Sequence, residues 1–435
     1  MKIPVTVARR VRPVHAAAIA ALLLASPALA ACGGDSDESA DGTVRLSFSW
    51  WGDSSRAKAT EAAIDQFEKA NPKIKVSTSY AQFGPYNQKL ATQMAGGGAP
   101  DVIQIDWGNQ SQYAGSNTLM DLAKGPAKVD FSGLDPKFAG SGKDGDKQVA
   151  LPFGQTTQSI VVDTTKLKDL GVPVPKAGWT WDDLAEFGRQ VHNKSKGKLY
   201  GITDPGATWA AFQSWLDQKG TALYTDDGKL GFQQSDLEGF WTYCDGLRKS
   251  GAATPANQST TFNNGPAEDP LAKGTAAAEW DYDSIYASHA AATKDTLALL
   301  PLPTVDGKTG MYAKPSMLLS VYARSKHPQE AAKLLGFLVN DPAAAKSLGT
   351  SRGLFPNLDA RKEQTAKFTG GDKVVSDFEA SAQSGLSPTP PAPPKGDGQL
   401  ITLMQREYGS VSFGQESVAA GAKNFMTQAQ QALSK

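Results

Sequence analysis

The chain has 435 residues, with 44 basic and 44 acidic side chains, so it carries no formal net charge. That balance excludes the concentrated basic surface that nucleic acid requires. The length exceeds what one hydrophobic core usually supports, so two lobes are expected.

The chain opens with Lys2, Arg9, Arg10 and Arg12, followed by an apolar run over 16–30. That run is too short to span a bilayer stably and fits a signal peptide covering 1–31. Leu29-Ala-Ala-Cys32 is similar to the lipobox of bacterial lipoproteins, which implies that Cys32 becomes the lipid-modified first residue. The other reading is cleavage near Ala31 with Cys32 incidental. The leader holds four basic residues and no acidic ones, so the mature chain is mildly acidic. Residues 33–42 are polar and small and read as a flexible tether, giving 32–42 as the anchor segment. With Cys32 lipidated, Cys244 has no disulfide partner and reads as a small buried apolar residue.

Thr43–Trp50 alternates, with Val44, Leu46, Phe48 and Trp50 on one face, and is read as a strand. A helix capped by Ser54 or Ser55 runs to Ala70 and is stopped by Asn71-Pro72. Lys73–Tyr80 alternates again. Tyr86, Leu90 and Met94 mark a second helix that Gly96-Gly-Gly98 ends. Asp101–Asp106 is a third strand. Strands separated by helices imply right-handed crossovers and a mainly parallel sheet. Further on, Val149–Phe153, Ser159–Asp163, Ala276–Trp280 and Leu297–Pro301 read as strands. Residues 181–193, 208–219, 329–340 and 415–434 read as helices, and Ser387–Pro394 is a polyproline stretch.

Four stretches together carry a resemblance: Phe48-Ser-Trp-Trp-Gly52; Tyr86 and Leu90 leading to Ala95-Gly-Gly-Gly-Ala-Pro-Asp-Val102; Leu151-Pro-Phe-Gly154 through Val161–Gly171 and Trp179–Leu184; and Gly274–Trp280. In this order, behind a lipobox, they make the chain similar to the solute-binding proteins of ABC importers, in the carbohydrate-binding family that includes maltose-binding protein. The likeness covers nearly all of 43–435. One departure is Val162-Asp163, where the family usually has Tyr-Asn; it touches packing near the crossover rather than the binding chemistry.

The resemblance implies an α/β, two-lobe periplasmic-binding-protein (Venus-flytrap) fold with hinge crossovers near 151–156, 275–280 and 320–330. Lobe 1 would comprise 43–152 plus 277–325, and lobe 2 would comprise 153–276 plus 326–435. Ligand would sit at the C-terminal ends of strands and favour a closed form by touching both lobes. The function implied is capture of a sugar or oligosaccharide and delivery to permease subunits. The protein would be a monomer tethered by lipid to the outer face of the cell membrane.

A sugar offers fixed hydroxyl donors and acceptors and apolar C–H faces, so its site wants flat aromatics beside carboxylates and amides. Trp51 is favoured over Trp50 for the cleft because Trp50 shares the apolar face of the first strand; both could be core. Asp106 and Asn109 follow the third strand, at a loop the family uses for hydroxyls; Asp106 could instead cap the next helix. Trp209 opens a helix and corresponds loosely to a stacking aromatic of the family. Glu279-Trp-Asp-Tyr-Asp283 is the densest polar–aromatic cluster; it gives Trp280 and Asp281 as the strongest candidates, with Asp283 either on ligand or capping a helix. Gln82, Gln155 and Arg352 complete the set, each balanced against an ordinary surface role.

No cofactor is expected. His192, His289 and His327 lack ligand spacing, so no metal site is expected either. Gly140-Ser-Gly-Lys143 lacks the context of a phosphate loop and reads as a turn. Two rivals stay open. A carbohydrate-active enzyme would use carboxylates such as Glu279 and Asp283 as acid and base; at a strand–helix junction they are too few and too undefined to count as evidence, and no catalytic residue is assigned. A polyamine binder would use the 279–283 cluster as part of an acidic aromatic cage.

Overall fold

In a computed structural model of the chain, residues 42–433 are described, apart from Asp135, Asp226, 260–267 and Pro391. The expected leader, Cys32 and the tether up to residue 41 lie outside the described residues.

Eleven strands are described: β1 (Val44–Trp51), β2 (Ile74–Ala81), β3 (Val102–Ile105), β4 (Lys143–Asp144), β5 (Lys147–Gln148), β6 (Leu151–Pro152), β7 (Gln155–Asp163), β8 (Ala278–Tyr282), β9 (Leu297–Leu300), β10 (Ala313–Pro315) and β11 (Leu318–Val321). The first sheet has the order β2-β1-β3-β11-β6. β1 pairs in parallel with β2 and β3, and the intervening helices Ser54–Ala70 and Phe83–Gly96 make the crossovers. Asp53, rather than either serine, caps the first helix, its carboxylate accepting from Arg56 N at 2.9 Å. Gly97 ends the second helix in the left-handed region at φ 78°.

The expectation of a mainly parallel sheet holds for β1 to β3 alone. β11 is antiparallel to β3 and β6, and in the second sheet β8, β9 and β10 all run antiparallel to β7. The cause is direct passage between sheets. β6 runs into β7, and β10 runs into β11, with no helix to reverse direction. At the first passage a Cβ on Gly154 would lie 2.0 Å from the Arg352 carbonyl oxygen, so the two crossing segments pass closer than a side chain permits.

Two large hydrophobic cores follow from the two sheets, with a smaller third cluster of Val161, Leu271, Tyr286, Leu297 and Val375. The first gathers Leu46, Phe48, Trp50, Phe67, Ile103, Leu318 and the helix Pro328–Asn340. The second gathers Ile160, Val162, Leu184, Phe212, Trp241, Cys244, Met404 and Phe425. Cys244 is fully buried and free.

The cores partition the chain differently from the expected lobes. Residues 278–300 lie in the second sheet because β8 and β9 bond along both edges of β7. The return crossing is therefore β10 to β11. The helix Pro328–Asn340 buries Leu334, Leu335 and Leu338 in the first core, and the last crossing falls between Ala360 and Phe378. No helix among the described residues is long and apolar enough to cross a membrane.

Candidate functional site

A cavity of about 960 Å³ lies where the two sheets face each other. That is near the upper end for small-ligand sites. Both cores contribute its walls.

On the first lobe, β1 delivers two successive indoles to opposite faces. Trp50 is wholly buried in the core and stacks toward Tyr80, with ring centroids 6.0 Å apart. Trp51 lines the cavity, 7 % exposed, and meets Phe83 edge-on at 5.4 Å. Gln82, the residue before the Phe83 helix, lines it as well, and no side-chain cap bond occupies its amide. Asp106 leaves β3 into the same space while accepting from Gly108 N at 3.0 Å, so it is both cap and wall. Trp107 stands beside it, its Nε1 buried without a protein partner.

On the second lobe, Trp209 opens the helix Trp209–Gln218, and its Nε1 donates to Asp397 Oδ1 at 3.1 Å. Tyr224 Oη donates to the same carboxylate oxygen. Burial lifts the Asp397 carboxyl to about 6, and the charge of Asp106 adds to this; the two hydrogen bonds and Lys314 hold it back. A Cβ on Gly108 would lie 2.5 Å from Asp397 Oδ2 and 3.0 Å from Asp106 Oδ1, so the two carboxylates, from different lobes, stand close together at one edge of the cavity. Trp280 lines the cavity but is 3 % exposed and lies nearly parallel to Trp181, centroids 5.6 Å apart. Its Nε1 is buried with no protein partner.

Asp281 lines the wall and pairs with His289 Nε2 at 2.9 Å. Burial acts to lower the His289 ring, but the bond and charge of Asp281 outweigh it, and the net shift is upward. Asp269 lines the cavity close by, lifted by burial to about 7. Ligand atoms of Asp269, Asp281 and His289 fall within 4.8 Å of one another, a juxtaposition the histidine spacing does not reveal.

Four candidates stand elsewhere. Asn109 turns to Asn87, its Nδ2 donating to Oδ1 at 3.4 Å, because the short helical turn after Asp106 rotates it away from the cavity. Asp283 is fully buried and accepts from Thr156 Oγ1 at 2.6 Å and Thr157 N at 3.0 Å, pinning the start of β7. Gln155 is held by Arg361 at 3.0 Å and Glu379 at 3.3 Å. Arg352 is buried in the first lobe, donating to Gln104 at 3.2 Å and Thr60 at 2.8 Å, with its guanidinium 4.4 Å from the Phe153 ring centroid.

Other wall residues carry no sequence signal of their own. Arg56 sits in the first helical turn, with Nε donating to Ser351 O at 2.9 Å. Asp217 is near the end of the Trp209 helix, and Tyr312 and Lys314 come from the β10 passage. Asp397 follows the polyproline stretch, which crosses to the first lobe where Ser111 Oγ donates to Pro393 O at 3.1 Å.

The sequence profile described as bacterial extracellular solute-binding protein matches residues 51–345. The chain belongs to that family. It is 26% identical over 354 residues to the diacetylchitobiose binding protein DasA of Streptomyces coelicolor, covering 76% of this chain and 79% of the relative. An uncharacterized lipoprotein of Streptomyces antibioticus is 30% identical over 181 residues, 38% of this chain and 37% of the relative. Among solved structures, a periplasmic oligogalacturonide binding protein from Yersinia enterocolitica in complex with saturated digalacturonic acid superposes with a TM-score of 0.81. It is 24% identical, with 90% of this chain and 98% of that one covered. The two-lobe periplasmic-binding fold is thereby shared, and the family is one of binding proteins rather than enzymes.

Proposed function

We propose that the protein captures a saccharide in the cavity between its lobes and hands it, unaltered, to the permease subunits of an ABC importer. One observation carries this reading. A single cavity of about 960 Å³ is walled from both lobes by indoles and by carboxylates, with Trp51, Gln82 and Asp106 on one side and Trp209, Asp281 and Asp397 on the other. Flat rings take the C–H faces of a pyranose, and carboxylates accept its hydroxyls in charge-assisted bonds. Buried donors at Trp107 Nε1 and Trp280 Nε1 lack protein partners and suit ring or hydroxyl oxygens. The relative named for diacetylchitobiose supports an oligosaccharide over a single ring, as does the cavity volume.

Ligand binds from both sides and so favours the closed arrangement. The protein acts as a monomer, held at the outer face of the membrane by lipid on Cys32. Calorimetric titration of the purified mature chain with neutral mono-, di- and trisaccharides tests capture. The expected result is a one-to-one isotherm with at least one oligosaccharide, recovered unchanged by chromatography. Absence of heat with every sugar, or appearance of hydrolysis products, contradicts the reading. Metabolic labelling with radioactive palmitate tests the anchor; a Cys32→Ala chain that still carries label contradicts it.

A further inference from the structure

This step rests on the reading that the cavity takes a saccharide. We infer that it also sorts saccharides by charge, accepting neutral or amine-bearing rings and rejecting uronic acids, with Asp217 and Asp269 as the principal specificity-determining residues. The basis is an imbalance in the wall. Asp106, Asp217, Asp269, Asp281 and Asp397 line the cavity from both lobes, against two cations, Arg56 and Lys314.

Both cations are already engaged. Arg56 donates through Nε to Ser351 O and through Nη1 to Trp51 O, at 2.9 and 3.5 Å, and the carboxylates of Asp53 and Asp281 act on its charge. Its Nη2 has no protein partner and is left for a neutral hydroxyl as readily as for an anion. Lys314 Nζ lies 4.4 Å from the Tyr282 ring centroid and offsets Asp397. Two further wall carboxylates add little: Asp227 is paired with Lys229 at 2.6 Å, and Asp53 caps the first helix, accepting from Arg56 N at 2.9 Å.

The acids are less well served. Among the described residues, Asp281 has an ion pair, with His289 at 2.9 Å. Asp217 and Asp269 have none. Both are lifted to about 7 with burial as the leading cause; nothing offsets it at Asp217, while at Asp269 the charges of His289 and Lys273 oppose the lift and that of Asp281 adds to it. Such groups gain from a hydroxyl or ammonium donor brought by ligand. They repel a ligand carboxylate, which stays ionised at neutral pH, and a partly enclosed cavity weakens that repulsion less than open water does. Fold alone does not decide the matter, because the Yersinia structure bound to digalacturonic acid has the same architecture.

The test is calorimetric titration of the intact mature chain at pH 7.5, in 20 mM and 300 mM NaCl. The probes are maltotriose and N,N′-diacetylchitobiose as neutral sugars, chitobiose as an amine-bearing one, and di- and trigalacturonic acid. At 20 mM the galacturonates are expected to bind at least tenfold more weakly than the best neutral or amine-bearing probe. The gap narrows at 300 mM, since salt screens charge. It narrows at low salt too in an Asp217→Asn, Asp269→Asn double variant. Should that variant fold poorly, the salt series on the unaltered chain decides. A gap below tenfold, or one that salt leaves unchanged, overturns the inference while leaving sugar capture intact. Silence from every probe at millimolar concentration instead removes the sugar-capture reading, and this inference with it.

Discussion

Two aspartates of the second lobe, Asp204 and Asp217, are both removed from bulk water and are treated in opposite ways. Asp204 lies inside the lobe, wholly buried. It accepts from Arg248 Nη1 at 2.7 Å, from Tyr408 Oη at 2.8 Å and from Gly206 N at 3.0 Å. Burial lifts its carboxyl, and Arg248 works against the lift. Asp217, half-buried on the cavity wall, has desolvation as its one shifting influence. The protein satisfies a carboxylate that serves the fold and leaves wanting one that faces the cavity. Unsatisfied polarity of this kind, rather than polarity as such, marks the ligand side.

The largest effect that separates the two regions is expected at the knot. Arg248→Met leaves Asp204 a buried acid without its cation and should cost about 3–5 kcal/mol of stability, read by urea unfolding. Saccharide affinity of the surviving folded protein should be unchanged; a variant as stable as the parent would undo the contrast. At the wall the sign reverses. Asp217→Asn removes an unsupported charge and should raise the midpoint temperature by a few degrees at pH 8.

The pH dependence follows from the lifted carboxyl. With a folded value of about 7 against 3.8 for the free side chain, the penalty is full above pH 7. It fades as pH falls from 7 and is gone only below 3.8, where the carboxyl is protonated in both states. The advantage of Asn over Asp in differential scanning calorimetry should fade over the same interval; a gain equal at pH 8 and pH 4.5 would assign it another cause. The smallest effect is expected at Gln82, which lines the cavity and whose side chain makes no cap bond. Gln82→Ala should leave stability unchanged and weaken the best saccharide by a factor of about 2–10, the range of one neutral hydrogen bond. Unaltered affinity would remove Gln82 from the site.

What the sequence made legible follows from period and from local caps. Alternation placed β1 and β2, and the same alternation put Trp50 inward and Trp51 on the cavity side. Helical spacing placed the helices Trp181–Lys194, Trp209–Gln218 and Val418–Leu433 to within a few residues. The cluster after β8 was visible as composition, but which of its members face ligand was not. Trp280 and Asp281 reach the wall, while Asp283 turns into the protein to hold Thr156 and Thr157. Strand pairing makes that choice, and no local pattern encodes it. Asp217 and Asp397 were invisible for a related reason. Each is an ordinary helix aspartate until the fold sets it opposite the other lobe. The lobe boundaries were misplaced because β8 and β9 could join either sheet by pattern, and only the register with β7 decides.

A crystal structure of the mature chain grown with its tightest-binding oligosaccharide tests the central claim most directly. The account expects sugar hydroxyls within 3.2 Å of side chains from both lobes, including Asp106 or Gln82 on one and Asp217, Asp281 or Asp397 on the other, with a ring lying flat against Trp51 or Trp209. A sugar seated outside the cavity, or touched by one lobe alone, would contradict it.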